Sequence, residues 1–135
     1  MSAMGFNKVL FSKVHGIVLN HGKPVSNVTV DRTCNFGATD EDINDSSITD
    51  KNGEFKFPLI TRFSFLTTVL PIQPDVPQRI EIKHEGKEYL AWMFLKENYA
   101  ENGELKGKPI DLICELTAEV TRNAETGVGG LCRVK

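Results

Sequence analysis

The chain has 135 residues, of which 40% are hydrophobic and 25% are charged, and both fractions are ordinary for a globular protein. They predict one domain over residues 1–135, large enough to form a core without metal or disulfide support. A disordered, collagen-like or coiled-coil chain is excluded. Sixteen basic residues against eighteen acidic ones give a net charge of -2, without the positive excess that nucleic-acid binding requires.

The first third of the chain is typical of β-strands joined by turns. Residues 1–13 contain scattered apolar side chains, too few for the hydrophobic segment of a secretory signal. Residues 13–20 and 25–32 flank a turn at residues 21–24 and predict a hairpin. The polar stretch over residues 35–47 is predicted to be a surface insertion.

The later elements are also predicted to be short strands. Residues 87–96 form a nearly continuous apolar run, which favours a central strand covered on both sides. About seven strands at this spacing favour an antiparallel two-sheet sandwich, with a short helix over 116–124 as an open alternative. The later predicted strands are residues 54–57, 79–83, 87–96, 109–116 and 130–134.

Alternation of side chains predicts which residues point into the core. The set predicted to point inward is Val28, Val30, Phe55, Phe57, Ile80 and Ile82. Within residues 87–96, alternation places one set of side chains on each face of the strand, and both faces are expected to be core. One face carries Tyr89, Ala91 and Met93, and the other carries Leu90, Trp92 and Phe94.

The three cysteines are too far apart for a metal knuckle and too few to pair completely within one chain. Three free thiols in the cytoplasm are therefore expected, because cytoplasmic disulfides are uncommon. A bridge between Cys114 and Cys132 across two late strands is the alternative, and it would indicate an oxidising compartment such as the periplasm. Cys34 or Cys132 would act as a nucleophile only with a histidine nearby.

Three segments carry a resemblance to a known family: GIV at 16–18, GKPVSNVTV at 22–30 and TDKNGEFKF at 49–57. Together they resemble the carboxypeptidase regulatory-like domain, a transthyretin-like (prealbumin-like) β-sandwich. The resemblance covers about a third of the chain. It departs at Ser26-Asn27, where such domains have Gly-Ala, and in the insertion at 35–47.

A later set of segments is similar to small bacterial proteins that contain this domain. These segments are GKEYLAW at 86–92, KPI at 108–110 and CELT at 114–117. Such proteins occur near polymorphic toxin and type VI secretion genes. The resemblance therefore implies a role beside a toxin or a secretion apparatus.

The sequence offers no motif for catalysis, a metal or a cofactor. None of the three histidines has a partner at helical spacing. Asp40, Asp42 and Asn44 copy the first ligand positions of a calcium loop, but Asp45 replaces the required glycine and Lys51 the closing glutamate. We therefore predict no catalytic residue, no metal, no cofactor and no enzyme.

Two segments are candidates for binding a protein partner. Residues 40–45 contain four acids, Asp40, Glu41, Asp42 and Asp45, in a predicted loop that could steer a basic partner. Residues 63–71 are rich in large apolar groups, with Phe65 and Leu66 at the centre, and three prolines lie at positions 71, 74 and 77. Alternatively, these segments are a solvated loop and a plug of the core.

These observations lead to an expected function. We expect a non-catalytic protein-binding module, most specifically an immunity or accessory protein that binds a bacterial toxin or effector. The alternative is a structural or adaptor component of a secretion or surface apparatus. No hydrophobic run suits a membrane-spanning helix, so membrane insertion is not expected.

Overall fold

The computed structural model describes residues 7–63 and 73–135. The regular secondary structure of this part of the chain consists of β-strands and one short 3-10 turn at Gly103–Leu105. The strands are β1 Asn7–Phe11, β2 Val14–Asn20, β3 Lys23–Pro24, β4 Thr29–Phe36, β5 Glu41–Ile48, β6 Glu54–Phe57, β7 Ile60–Phe63, β8 Val76–His84, β9 Lys87–Lys96, β10 Ile110–Glu115, β11 Thr121–Arg122, β12 Gly129–Gly130 and β13 Arg133–Val134.

The strands form three sheets in a sandwich-like arrangement. The large sheet has the order β11-β12-β9-β8-β4-β5 and is antiparallel throughout. The small sheet has the order β13-β10-β2, with β3 and β6 both paired to β2, and its β10–β2 pair is parallel. Strands β1 and β7 form a separate antiparallel ribbon.

The all-β prediction is confirmed, but two details differ. More strands are present in the described residues than the seven expected, because several pairings are only two residues long. The alternative helix over 116–124 is absent. A turn there is closed by the Ala118 amide, which donates to the Glu115 carbonyl at 2.9 Å, and β11 follows.

The predicted hairpin between residues 13–20 and 25–32 is wrong. After the turn at residues 21–22 only the two residues of β3 pair back with β2, and the chain then crosses to the large sheet, where β4 pairs with β5 and β8. Thr49 stabilises this crossover: its hydroxyl accepts from the Val28 amide at 2.9 Å and donates to the Val25 carbonyl at 2.7 Å. Asn27, with φ 59°, makes the bend.

The predicted inward-facing residues are confirmed. All six are at most 3% exposed and belong to one core cluster: Val28, Val30, Phe55, Phe57, Ile80 and Ile82. The side-chain alternation of β4, β6 and β8 was therefore sufficient to identify their buried faces.

The alternation predicted for β9 is wrong because the strand contains a β-bulge. Ile80 pairs with Trp92 and the next residue, Glu81, pairs with Leu90, so Ala91 is the extra residue. Ala91 and Trp92 are both fully buried. Beyond the bulge Met93 lies on the outer face and is 47% exposed, so only one face of this half of β9 is core.

Arg32 is a fully buried cation that contacts all three sheets. Its guanidinium lies between the rings of Phe11 in β1 and Phe57 in β6, 4.8 and 4.7 Å from their centroids. Nε and Nη2 donate to the two carboxylate oxygens of Asp45 at 2.9 and 2.6 Å. This bidentate ion pair, together with the two aromatic rings, compensates the charge of Arg32 inside the protein.

A second buried polar cluster lies around Glu104. The Glu104 carboxylate accepts from the amide and hydroxyl of Ser12 at 3.0 and 2.6 Å and from Gln78 Nε2 at 2.8 Å. Gln78 Oε1 in turn accepts from the indole of Trp92 at 3.0 Å. These bonds tie the turn at Gly103–Leu105 to the core of the large sheet.

Cys114 and Cys132 are joined by a disulfide, so the expectation of three free thiols is wrong. Cys132 lies between β12 of the large sheet and β13 of the small sheet, where the chain passes over Cys114 in β10. The bond closes this end of the sandwich. Cys34 is a free, buried thiol, and burial raises its pKa to about 11, which disfavours the reactive thiolate.

Removal of the Asp45 carboxylate tests the buried ion pair. Asp45→Ala leaves the Arg32 guanidinium buried without a counter-charge, and since Asp45 is itself partly exposed we expect a loss of about 2–3 kcal/mol of unfolding free energy. Urea denaturation measures it. Glu41→Ala is the control, because it removes an exposed acid from the same strand and should hardly move the midpoint. Equal effects of the two substitutions would contradict this role of Arg32.

Candidate functional site

One row of outward-facing residues crosses the whole large sheet. Residues that lie directly opposite each other on paired strands share a face, so the register defines the row. From β11 to β5 it consists of Arg122, Gly129, Met93, Arg79, Thr33 and Asn44. This row runs perpendicular to the strands on the side of the sheet opposite the core.

The row has a gap at Gly129 because this residue has no side chain. The gap is the floor of an open groove of about 480 Å³ between Met93 on one side and β11 on the other. Its apolar wall, which we call the Met93 groove, is formed by Pro77, Met93, Leu95 and Val120. The last three are 47%, 46% and 56% exposed, in contrast to the buried apolar residues of the core.

The groove has a positive end. Arg122 is the charged side chain of its lining, is exposed, and makes no ion pair within residues 7–63 and 73–135. On the other side of Met93, Arg79 is engaged: its Nε lies 3.4 Å from a Glu81 oxygen and its Nη1 3.8 Å from the Met93 sulfur. Among the described residues of the lining, Arg122 is therefore the cation available to a ligand.

The predicted acidic loop is instead mostly an edge strand, β5, preceded by the turn at Asp40. Strand alternation separates the four acids. Glu41 and Asp45 occupy the inner side, where Glu41 pairs with Arg62 at 3.0 Å and Asp45 pairs with Arg32. The Arg62 hydrogen bonds hold the pKa of Glu41 below its usual value. These two acids are already neutralised and are poor candidates for partner binding.

Asp40 and Asp42 carry the uncompensated negative charge. Both accept from the same amide, Asn35 Nδ2, at 3.1 and 2.9 Å, and neither pairs with a cation in the described part of the chain. Asp42 also lines a depression, together with Thr33, Asn35 and Arg79, that adjoins Met93. The outer face thus has an acidic end at β5 and a basic end at β11.

The other predicted binding residues, Phe65 and Leu66, lie outside the described residues. Whether they form a partner surface or a plug of the core stays a prediction.

A histidine cluster on the outer face of the small sheet was missed by the sequence analysis. His15 in β2 contacts Asp111 in β10 through Nδ1 at 3.0 Å and Glu54 in β6 through Nε2 at 2.8 Å. These three residues are far apart in sequence and meet only because β6 and β10 flank β2, so no local motif reveals them. Hydrogen bonds to Asp111 and then Glu54 raise the pKa of His15.

The geometry of this cluster favours a structural role, in which His15 links β2 to its two neighbouring strands through Asp111 and Glu54; we call these three residues the His15 clasp. Both ring nitrogens of His15 are occupied by carboxylates, which leaves neither nitrogen available to a substrate. Among residues 7–63 and 73–135, no group of His, Cys, Asp and Glu is arranged to hold a metal ion. The exposed Met93 groove is therefore the better candidate for a functional site.

The His15 clasp predicts a pH dependence of stability. Because its folded pKa lies above the reference value of 6.5, the stabilisation is complete below the unfolded pKa and is lost as pH rises through the folded pKa. The wild type should thus be more stable than His15→Gln by a larger margin at about pH 5.5 than at about pH 8.5. Urea titrations measure the unfolding free energies of both proteins. An equal difference at both pH values would show that the clasp does not depend on the imidazolium.

Comparisons with known proteins give a family but no characterised relative. Residues 14–119 match a protein family described as a domain of unknown function (DUF6795). No curated protein and no solved structure matches the chain. Within the described residues, no helix has the length and hydropathy of a membrane span.

Proposed function

The chain belongs to the DUF6795 family, and we propose that this member is a non-catalytic protein-binding module with the Met93 groove as its contact surface. The observation that carries the proposal is the exposure of Met93, Leu95 and Val120 around one concave groove. Grouped apolar side chains on a soluble protein mark interaction sites more often than single ones do.

The composition of the surface supports a protein partner. Protein interfaces combine an apolar centre with a polar rim, and methionine and arginine are enriched in them. Here Met93 and Leu95 provide the centre, Arg122 provides the basic rim, and Asp42 lies at the acidic rim. Methionine also adapts its shape to different partner side chains, because it is unbranched and polarizable.

For the partner we propose a bacterial toxin or effector, which this chain would mask as an immunity or accessory protein. The support is the resemblance of residues 16–18, 22–30 and 49–57 to carboxypeptidase regulatory-like domains and of residues 86–92 to bacterial proteins encoded near toxin genes. The same resemblance supports a transthyretin-like topology for the sandwich. The disulfide between Cys114 and Cys132 supports the oxidising periplasm over the cytoplasm as the place of action.

The binding proposal is tested with purified proteins encoded by the reading frames next to this gene. Biolayer interferometry measures their affinity for the wild type, for Met93→Ser and for Gly129→Leu. A Cβ at Gly129 would make only ordinary contacts, the nearest at 3.6 Å, so leucine should fill the groove without backbone strain. We expect each substitution to weaken binding by about tenfold or more.

Ile48→Ser is the matched control. Ile48 is 64% exposed and lies on the same face of the sheet, but at the far end of β5, so its removal should leave the affinity unchanged. Thermal midpoints of all variants verify the fold. Binding by a toxin-like neighbour supports the immunity role, and binding by a secretion component supports the adaptor role. Affinity that is insensitive to both groove substitutions would overturn the groove as the contact surface.

A further inference from the structure

On the premise that the proposed function is correct, the charges at the two ends of the outer face indicate which side chains the bound segment of the partner carries. Arg122 on β11 is a cation without an ion pair in the described chain, and Asp40 and Asp42 at β5 share only the neutral amide of Asn35. The groove lies between these charges. A ligand that crosses the strands would meet a positive, an apolar and a negative region in that order.

The spacing of the strands sets the spacing of the matching groups. Strand β9, which carries Met93, is two strands from β11 and three strands from β5. Neighbouring strands are about 4.8 Å apart, so Met93 is about 10 Å from the Arg122 strand and about 14 Å from the Asp42 strand. An extended peptide advances about 3.4 Å per residue, so these two distances span about three and about four residues of such a peptide.

We propose that the Met93 groove binds an extended segment of a partner protein that carries an acidic residue, a large apolar residue and a basic residue in this order across the sheet. The carboxylate pairs with Arg122. The apolar side chain packs against Met93 at the edge of the groove, about three residues away, and the basic side chain reaches Asp42 and Asp40 about four residues further on. The apolar contact supplies affinity, and the two charges fix the direction and the register.

A second copy of this chain is the other occupant that the charge pattern allows, since two copies in opposite directions would align Arg122 with Asp42. The shape of the surface argues against it. The groove is concave, so two grooves face to face would leave a void where an interface needs close packing. The exposed apolar centre consists of few residues, whereas stable homodimers bury large apolar areas.

The proposal is tested by selection from a phage library of random peptides of about twelve residues, long enough to span the outer face. The immobilised proteins are the wild type, Arg122→Glu and the double variant D40K/D42K. On the wild type we expect enrichment of an acid and a base on opposite sides of an apolar residue, about three and four positions away. On Arg122→Glu the selected acid should change to a base, and on D40K/D42K the selected base should change to an acid.

Gly129→Leu serves as the control for the groove, because it retains both charged ends and should enrich no such pattern. The substituted charges are exposed and form no ion pair with the residues that the structure describes, so thermal midpoints should stay close to that of the wild type. The proposal is overturned if the wild type enriches no pattern beyond that found on Gly129→Leu, or if the selected charges do not change with the variants. A wild-type dimer in sedimentation that dissociates on Arg122→Glu would also overturn it, in favour of the second copy.

The two levels of the proposal fail separately. If binding of the natural partner is lost in Met93→Ser but is the same for Arg122→Glu, D40K/D42K and the wild type, the groove is a protein-binding site and the charge pattern is wrong. If Met93→Ser also binds normally, the proposed function of the groove fails with it.

Discussion

The packing of Arg32 between Phe11 and Phe57 is the interaction on which the rest of the sandwich depends. It joins a cation in β4 to aromatic rings from the ribbon and the small sheet, so all three sheets meet at one buried side chain. Its pair with Asp45 also sets the register of β5, a strand whose polar composition would otherwise specify register weakly. A slip by one residue would reverse which acids face outward, so this pair determines that Asp42 lies on the outer face.

A local irregularity in β9 then determines what the rest of that face presents. The bulge at Ala91 buries two consecutive residues and directs Met93 outward. The backbone of Gly130 passes so close to Ala91 that a Cβ there would lie 2.1 Å from the Ala91 carbonyl oxygen, and its φ is 122°. The neighbouring Gly129 has no such constraint but leaves the floor of the groove open. The groove thus arises from a bulge and two glycines rather than from a dedicated loop.

The sequence predicted the fold class and the inward residues of β4, β6 and β8, because these strands alternate regularly and one face of each is buried. It did not predict β5 as a strand, since the only apolar residue among residues 41–47 is Ile43 and the partner that fixes Asp45 lies on another strand. The faces of β9 were predicted wrongly for a similar reason, because the bulge is a shift in pairing that depends on the neighbouring strand. The His15 clasp and the groove form only when distant strands come together. Gly129 followed by Gly130 was the one local signal of a close approach.

A backbone amide chemical-shift map of the isotopically labelled protein with its unlabelled partner would locate the contact surface directly. If the Met93 groove is the contact surface, the largest changes fall on one contiguous strip across the outer face of the large sheet, centred on Met93, Arg122 and Gly129 and extending to Asp42. Changes concentrated on the opposite face around His15, with β9 and β11 unaffected, would contradict it.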